Sequence, residues 1–105
     1  MKFPELSHLQ FAVIDCLGGG KLSGRNLREA LVERDIKKAG PAFYQMMSRL
    51  EEAKFVKGEY TQKIVEGQII KERLYSVTGV GAQAYNASLE FYRNADGSLE
   101  MGVPA

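Results

Sequence analysis

Residues 40–56 constrain the fold more than any other stretch, because a helical pattern passes directly into a strand pattern. Pro41 suits the first turn of a helix, where its missing N–H has no helical partner in any case. Apolar side chains then recur at the spacing of one helical face, at Phe43, Met46, Met47 and Leu50. The opposite face carries short or polar side chains, at Ala42, Gln45, Ser48, Arg49 and Glu52. The stretch therefore predicts a helix with an apolar back and a polar front.

A β-hairpin is predicted directly after this helix. Residues 55–65 and 69–77 are rich in β-branched and aromatic side chains, and Glu66 and Gly67 lie between them. Gly67 supplies the positive φ that a two-residue hairpin loop needs. We expect Tyr75 and Val77 to share one face of the hairpin and to close over the core.

The first helix is predicted from its capping residues. Ser7 is placed as the N-cap and Gln10 closes a capping box three residues later. The glycines at 18–20 end the helix, because three consecutive glycines cannot sustain it. Its predicted buried side is Leu9, Ala12, Val13, Cys16 and Leu17.

A second helix is predicted after Ser23, which can cap it. Its predicted inner face is Leu27, Ala30 and Leu31, and its outer face is charged. The basic pair Lys37 and Lys38 falls in the turn before Gly40. Helix, turn and helix in this order are the two halves of a helix-turn-helix.

A fourth helix is predicted from Thr78, its cap, to about Arg93, with two apolar stripes. The first stripe is Val80, Ala84, Ala87 and Phe91, and the second is Ala82, Tyr85, Leu89 and Tyr92. One stripe is enough for packing on the chain's own domain, so the other needs a partner, most commonly a symmetric copy. The predicted dimer contacts are Tyr85, Leu89, Phe91 and Tyr92, with an inducer pocket between subunits as the alternative for the same residues.

Composition limits the classes of function. With 105 residues, 45% of them hydrophobic, the chain suits one core. Fourteen basic and thirteen acidic side chains give a net charge of +1, so attraction to nucleic acid must come from a local patch. Cys16 is the only cysteine, which excludes an internal disulfide and fits a reducing cytoplasm. We expect neither a secretory signal nor a membrane span.

The predicted fold is mainly α with a β-hairpin: a winged helix-turn-helix of three helices and a two-stranded wing, followed by a fourth, dimerising helix. The predicted divisions are 1–78 for the DNA-binding domain, 79–93 for the dimerisation helix and 94–105 for a flexible tail. Gln45 and Arg49 are the candidates for reading base edges in the major groove. The alternative is an ordinary solvated helix face, with Arg49 paired to Glu51 or Glu52.

Other polar side chains have two interpretations each. Tyr44 either reaches a phosphate through its hydroxyl or packs under the wing. Basic side chains in the turn and the wing either neutralise phosphates or form a scattered set of surface cations, namely Lys37, Lys38, Lys63, Lys71 and Arg73. No enzyme, metal or cofactor is predicted, because the single histidine, His8, suits a helix start and the glycine run lacks the context of a nucleotide loop.

The chain resembles the PadR-like winged-helix transcriptional regulators over residues 6 to about 85. The matching residues are Leu6-Ser7, Ser23-Gly24, Phe43-Tyr44, Arg49-Leu50-Glu51, Phe55-Val56, and Tyr75-Ser76-Val77-Thr78 with Gly81. The chain departs from the family at three places. Arg25 stands where an aromatic residue is usual, Pro41-Ala42 where Gly-Thr is common, and Lys54 where glycine precedes the wing.

The resemblance implies a dimeric, repressor-type regulator of the subgroup with a short C-terminal region. Its partners would be double-stranded DNA and, as in some relatives, a small aromatic or hydrophobic effector. The predicted DNA-binding residues are Ser23, Arg25, Lys37, Lys38, Ala42, Tyr44, Gln45, Arg49, Lys63, Lys71 and Arg73. The alternative function is a winged-helix module that binds protein instead of DNA, suggested by the near-neutral charge, Ala42 and the acidic residues of the wing.

Overall fold

The computed structural model describes the backbone of residues 6–102 and the side chains of residues 6–94. Within this range the chain forms four helices and three strands, and the strands form one antiparallel sheet in the order β1-β3-β2. The elements are α1 (His8–Leu17), β1 (Lys21–Ser23), α2 (Gly24–Val32), α3 (Gly40–Glu52), β2 (Val56–Val65), β3 (Gln68–Val77) and α4 (Gly79–Gly102). The predicted class, a mainly α winged helix-turn-helix with a hairpin, is confirmed.

The predicted capping of α1 is confirmed on both sides of the capping box. The Ser7 hydroxyl accepts from the Gln10 N–H at 3.1 Å, and the Gln10 side chain accepts from the Ser7 N–H at 3.0 Å. The helix ends at Gly18, which has a φ of 54°. Its buried side includes Ile14, which the predicted inner face omits, whereas Cys16 is only half-buried.

The strand β1 was not predicted, since residues 21–23 were expected only to lead into the second helix. Leu22 pairs with Tyr75 of β3, so the strand depends on a partner more than fifty residues away. A three-residue segment is too short to show an alternating pattern, which explains why the sequence alone gives no signal for it. The Ser23 cap is confirmed, because its hydroxyl accepts from the Asn26 N–H at 3.1 Å.

Helix α3 has the predicted apolar back, and all four of its predicted core residues are buried: Phe43, Met46, Met47 and Leu50. It ends in a turn that directs the chain into the wing. The Phe55 N–H donates to the Leu50 carbonyl and the Lys54 N–H to the Glu51 carbonyl, both at 3.0 Å. These two bonds form a Schellman motif, in which the residue after the C-cap adopts a left-handed conformation. Lys54 occupies that position and has a φ of 68°.

We use "wing" for β2, β3 and the turn between them, residues 56–77. Its ladder runs from the pair Val56 and Val77 to the pair Val65 and Gln68. Glu66 and Gly67 have φ values of 51° and 81°, which is the pattern of a type I′ turn. The predicted hairpin and its turn are confirmed. Tyr75 is 2% exposed and closes the core, as predicted.

Helix α4 differs from its prediction in length. The Thr78 cap is confirmed, because its hydroxyl accepts from the Gly81 N–H at 2.9 Å. The helix continues to Gly102, past the predicted end at Arg93. The prediction of a loose tail from residue 94 is therefore wrong for residues 94–102. Gly97 weakens a helix by only about 1 kcal/mol relative to alanine and does not end it, unlike proline. Residues 103–105 lie outside the described residues.

Helix α4 packs through members of both predicted stripes, Ala84 and Tyr85, together with Gly81 and Ser88, which neither stripe included. The helix presents small residues to the core, since Gly81, Ala84 and Ser88 are buried while Val80 is 51% exposed. A Cβ built at Gly81 would lie 1.9 Å from the Phe55 carbonyl oxygen. Only glycine permits this approach, so backbone proximity rather than side-chain size sets the packing face.

Candidate nucleic-acid interface

The polar front of α3 presents Gln45 and Arg49 to solvent. The two residues are one helical turn apart and both side chains are exposed. Of the predicted ion-pair partners of Arg49, Glu51 binds Arg73 instead, and Glu52 is exposed. Among the residues with described side chains, neither Gln45 nor Arg49 has a hydrogen-bond or ion-pair partner. Both side chains can therefore use all of their hydrogen-bonding groups in contacts with a partner molecule.

An ion pair fixes the wing against the end of α3. The Arg73 guanidinium binds the Glu51 carboxylate through two nitrogens, with Nε at 3.3 Å from Oε2 and Nη2 bound to Oε1. This contact raises the pKa of Arg73. The guanidinium also lies 4.5 Å from the centre of the Tyr60 ring. Arg73, predicted to neutralise a phosphate, is thus engaged within the chain and orients the wing.

A glycine makes this ion pair possible. A Cβ built at Gly58 would lie 2.5 Å from Glu51 Oε1 and 2.6 Å from Arg73 Nε. Any larger residue would therefore displace one of the two charged side chains. The sequence signal is slight, because a lone glycine within a strand shows only that something approaches closely.

Lys63 and Lys71, the two wing lysines predicted to neutralise phosphates, lie on opposite faces of the hairpin. Lys63 pairs with Glu72, Nζ to Oε1, at 2.9 Å. Lys71 is exposed and, among the described side chains, has no ion pair. Since side chains alternate along a strand, Lys71 shares the face of Arg73, which contacts α3. Lys71 therefore lies on the wing face that contacts the end of α3, and Lys63 lies on the other face.

The turn between α2 and α3 carries further cations. Lys37 is exposed and Lys38 is half-buried. Arg28, on α2, donates to the Lys38 carbonyl at 3.5 Å and lies 5.9 Å from the centre of the Phe43 ring. Arg25 pairs with Glu29 at 3.5 Å. Arg28 lies on the charged outer face of α2, and no sequence signal distinguishes it there, because its partners lie across the turn.

Three further predicted contact residues lie close to the start of α2 or α3. Ser23 is 5% exposed and its hydroxyl caps α2, so it is buried beneath this surface. Tyr44 is 43% exposed, and its hydroxyl lies against the Cα of Gly24. Ala42 is half-buried in the first turn of α3. The N-terminus of that helix has no side-chain cap, which leaves backbone N–H groups available to an anion.

The aromatic residues of α4 contact α1. The Tyr85 hydroxyl donates to Asp15 at 2.5 Å and its ring stacks on Phe11 at 4.8 Å between centroids. Tyr92 stacks on His8 at 5.1 Å. Leu89 and Phe91 are half-buried. The assignment of Tyr85, Leu89, Phe91 and Tyr92 to a dimer interface stays a prediction, and three of the four already make ring contacts within the chain.

The helix-turn-helix of α2 and α3, the three-stranded sheet and the wing together define a winged-helix protein. A PadR family transcription regulator from Clostridium difficile has the same fold, with a TM-score of 0.77 at 14% identity over 93% of this chain and 100% of that chain. Bacillus subtilis PadR, in a complex with operator DNA, gives a TM-score of 0.67 at 20% identity over 80% of this chain. The alignment covers 47% of the PadR chain, so this chain spans about half its length.

A winged-helix DNA-binding protein from STIV is a more distant neighbour, with a TM-score of 0.57 at 16% identity over 85% of this chain and 92% of that one. No protein-family model and no curated protein matches the sequence. The predicted resemblance is confirmed at the level of structure: the chain has the winged-helix fold of PadR-like regulators. In the described part of the chain, no helix is both long and apolar enough to cross a membrane.

Proposed function

We propose that the protein is a DNA-binding transcriptional regulator that inserts α3 into the major groove. The observation that carries the proposal is the pair Gln45 and Arg49, exposed on the front of α3 without partners among the described side chains. Glutamine can pair with adenine through two hydrogen bonds, and arginine with guanine. The solved complex of the structural neighbour PadR with operator DNA supports the same interpretation.

Phosphate contacts would come from groups on both sides of the two base-reading residues. The uncapped N-terminus of α3 and Lys37 lie on one side, and Lys71 lies on the wing. Such contacts position a protein on the duplex but carry no sequence information. The net charge of +1 is therefore compatible with DNA binding, because the cations that matter are local.

The regulator would act as a cytoplasmic, repressor-type dimer. Its α4 helices would pair and set the separation of two α3 helices to about one turn of DNA. Leu89 is the residue of α4 proposed for that contact, because Tyr85 and Tyr92 stack on α1 and Phe91 packs edge-on against Tyr92.

The proposal is tested by selecting bound sequences from a random duplex library and measuring fluorescence anisotropy across a salt series. We expect sequence-selective binding. The logarithm of the affinity should fall linearly with the logarithm of the salt concentration, with a slope of about −0.9 for each contacted phosphate. The double variant Gln45→Ala/Arg49→Ala should lose selectivity by about 100-fold or more, since each bidentate contact contributes about 1–3 kcal/mol.

Its matched control is Gln83→Ala/Arg93→Ala, which removes an exposed glutamine and an exposed arginine from α4. The control should bind as the wild type does. Absence of duplex binding at low salt would overturn the proposed function. Unchanged selectivity in the α3 variant would overturn the assignment of the two base-reading residues.

A further inference from the structure

A pocket of about 500 Å³ lies between α2 and the turn that leads to α3. Neither Gln45 nor Arg49 lines it, so it is separate from the proposed base-reading surface. Small-molecule sites in proteins are commonly about 300–1,000 Å³ in volume, and this pocket falls within that range.

One wall of the pocket is aliphatic. Leu31, Val32 and Ile36 line it, and Val32 is 46% exposed. An exposed valine beside other apolar side chains leaves surface that water solvates poorly and that a hydrocarbon chain would cover favourably. The wall therefore suits a ligand with an aliphatic body.

The lining of the pocket is also cationic. We use "cationic rim" for Arg28, Lys37 and Lys38, which line the pocket, and among the described side chains none of the three has an ion pair. The acidic residue of the lining, Glu29, is bound to Arg25 at 3.5 Å. The positive charge of the rim is thus not neutralised from within the chain, and it complements an anion.

The geometry of Arg28 also suits a binding site. Its contacts with the Lys38 carbonyl and the Phe43 ring hold the guanidinium across the α2–α3 turn before any ligand arrives. A donor that is already oriented loses less conformational entropy on binding. Guanidinium groups bind carboxylates through two parallel hydrogen bonds, which favours this head group.

From the aliphatic wall and the unpaired cationic rim we infer that this pocket binds a small carboxylate with an aliphatic chain. Its occupant competes with DNA, because the carboxylate and the phosphate backbone both require the positive charge of Lys37 and Lys38. The competition rests on the proposed function, whereas the binding site itself does not.

Octanoate is the probe, titrated into the isotope-labelled chain and followed by heteronuclear NMR. We expect saturable shifts of the amide signals of Leu31, Val32, Ile36 and Lys37. Octanol lacks the charge and octylammonium reverses it, so both should bind at least 10-fold more weakly. Equal binding of the three compounds, shifts confined to other residues or no saturable binding of octanoate would overturn the site.

A matched pair of variants localises the effect. Val32→Glu places a carboxylate on the pocket wall and should weaken octanoate binding at least 10-fold. Val80→Glu makes the same change at a valine of similar exposure on α4, outside the pocket, and should leave binding unchanged. Both valines are about half exposed, so the fold should tolerate both substitutions, which circular dichroism checks. Equal loss in the two variants would contradict the assignment.

The competition is measured separately, as the anisotropy of a bound duplex during addition of octanoate. We expect octanoate to lower the apparent DNA affinity of the wild type and to have no such effect on Val32→Glu. Octanoate binding without any DNA binding would overturn the proposed function and leave the site intact. DNA binding with no octanoate binding would overturn the site and leave the proposed function intact. Binding of both without competition would overturn the regulatory part of the inference.

Discussion

Asp15 is the residue through which three parts of the chain meet. Its carboxylate accepts from the Tyr85 hydroxyl of α4 at 2.5 Å and pairs with Arg34, which follows α2, at 2.7 Å. The Tyr85 hydrogen bond and the Arg34 charge together lower the pKa of Asp15, although desolvation opposes them. Asp15 thereby links the helix proposed to form the dimer with the segment that precedes the α2–α3 turn.

This arrangement makes stability depend on pH. Because the pKa of Asp15 is lower in the folded chain than its ordinary value of 3.8, the unfolded chain binds the proton more readily. The contribution of Asp15 to stability is therefore fully present above about pH 4 and is lost as the pH falls through the folded-state pKa.

Tyr85→Phe should lower the free energy of unfolding by about 1 kcal/mol at pH 7, because it removes a hydrogen bond to a partly exposed carboxylate. The difference from the wild type should shrink as the pH falls through the folded-state pKa of Asp15, because the carboxyl group is then protonated. Urea denaturation at pH 7 and at a series of lower pH values measures it. Tyr60→Phe, at a tyrosine that is 75% exposed, is the control and should have no effect. An equally stable Tyr85→Phe at pH 7 would contradict the role given to this hydrogen bond.

At the scale of elements, the junction between α3 and the wing determines where the wing points. The Schellman motif places Lys54 in the left-handed region, and the Thr78 hydroxyl donates to the Lys54 carbonyl at 2.5 Å. The Glu51–Arg73 ion pair holds the same junction from the other side. The wing is therefore fixed to α3 both through the backbone and through side chains.

Lys54→Gly should raise the free energy of unfolding by about 1 kcal/mol, because a left-handed conformation costs a residue with a Cβ about 1–2 kcal/mol and costs glycine little. Ala53→Gly, at the adjacent residue with a φ of −76°, should lower stability instead. Thermal and urea denaturation compare the two variants. The same sign of change in both would show that backbone strain at Lys54 is not the cause.

At the scale of the whole molecule, α4 is the longest of the described helices. It runs over 24 residues, or about 36 Å at a rise of about 1.5 Å per residue, and its described contacts with α1 include the stacking of Tyr85 and Tyr92. The proposed dimer would add a contact at Leu89, which is half-buried.

Leu89→Glu should dissociate the proposed dimer, because two carboxylates would then meet in an apolar contact. Sedimentation equilibrium measures the shift to monomer, and circular dichroism confirms that the helix content is kept. Specific DNA affinity should fall at least 100-fold, since each subunit would bind a half-site without the other. Val80→Glu, on the same helix, is the control. A wild-type protein that is monomeric at micromolar concentration would overturn the proposed dimer.

Local pattern was sufficient for most elements. The capping box of α1, the Ser23 and Thr78 caps, the apolar face of α3 and the Glu66-Gly67 turn each depend on residues a few positions apart, and each is confirmed. The same holds for the exposed pair Gln45 and Arg49, because the polar side of an amphipathic helix follows from its apolar side.

Tertiary structure alone decided the features that join distant residues. The strand β1 forms because Leu22 pairs with Tyr75 of β3. Arg73 is held by the Glu51 carboxylate, and the packing face of α4 follows from the close approach of Gly81 to the Phe55 carbonyl. Periodicity reports the direction of a side chain within its own element but not which element lies opposite it. The sequence by itself therefore determined the helices, the hairpin and the polar front of α3, whereas the partners of each surface were decided only when the chain packed.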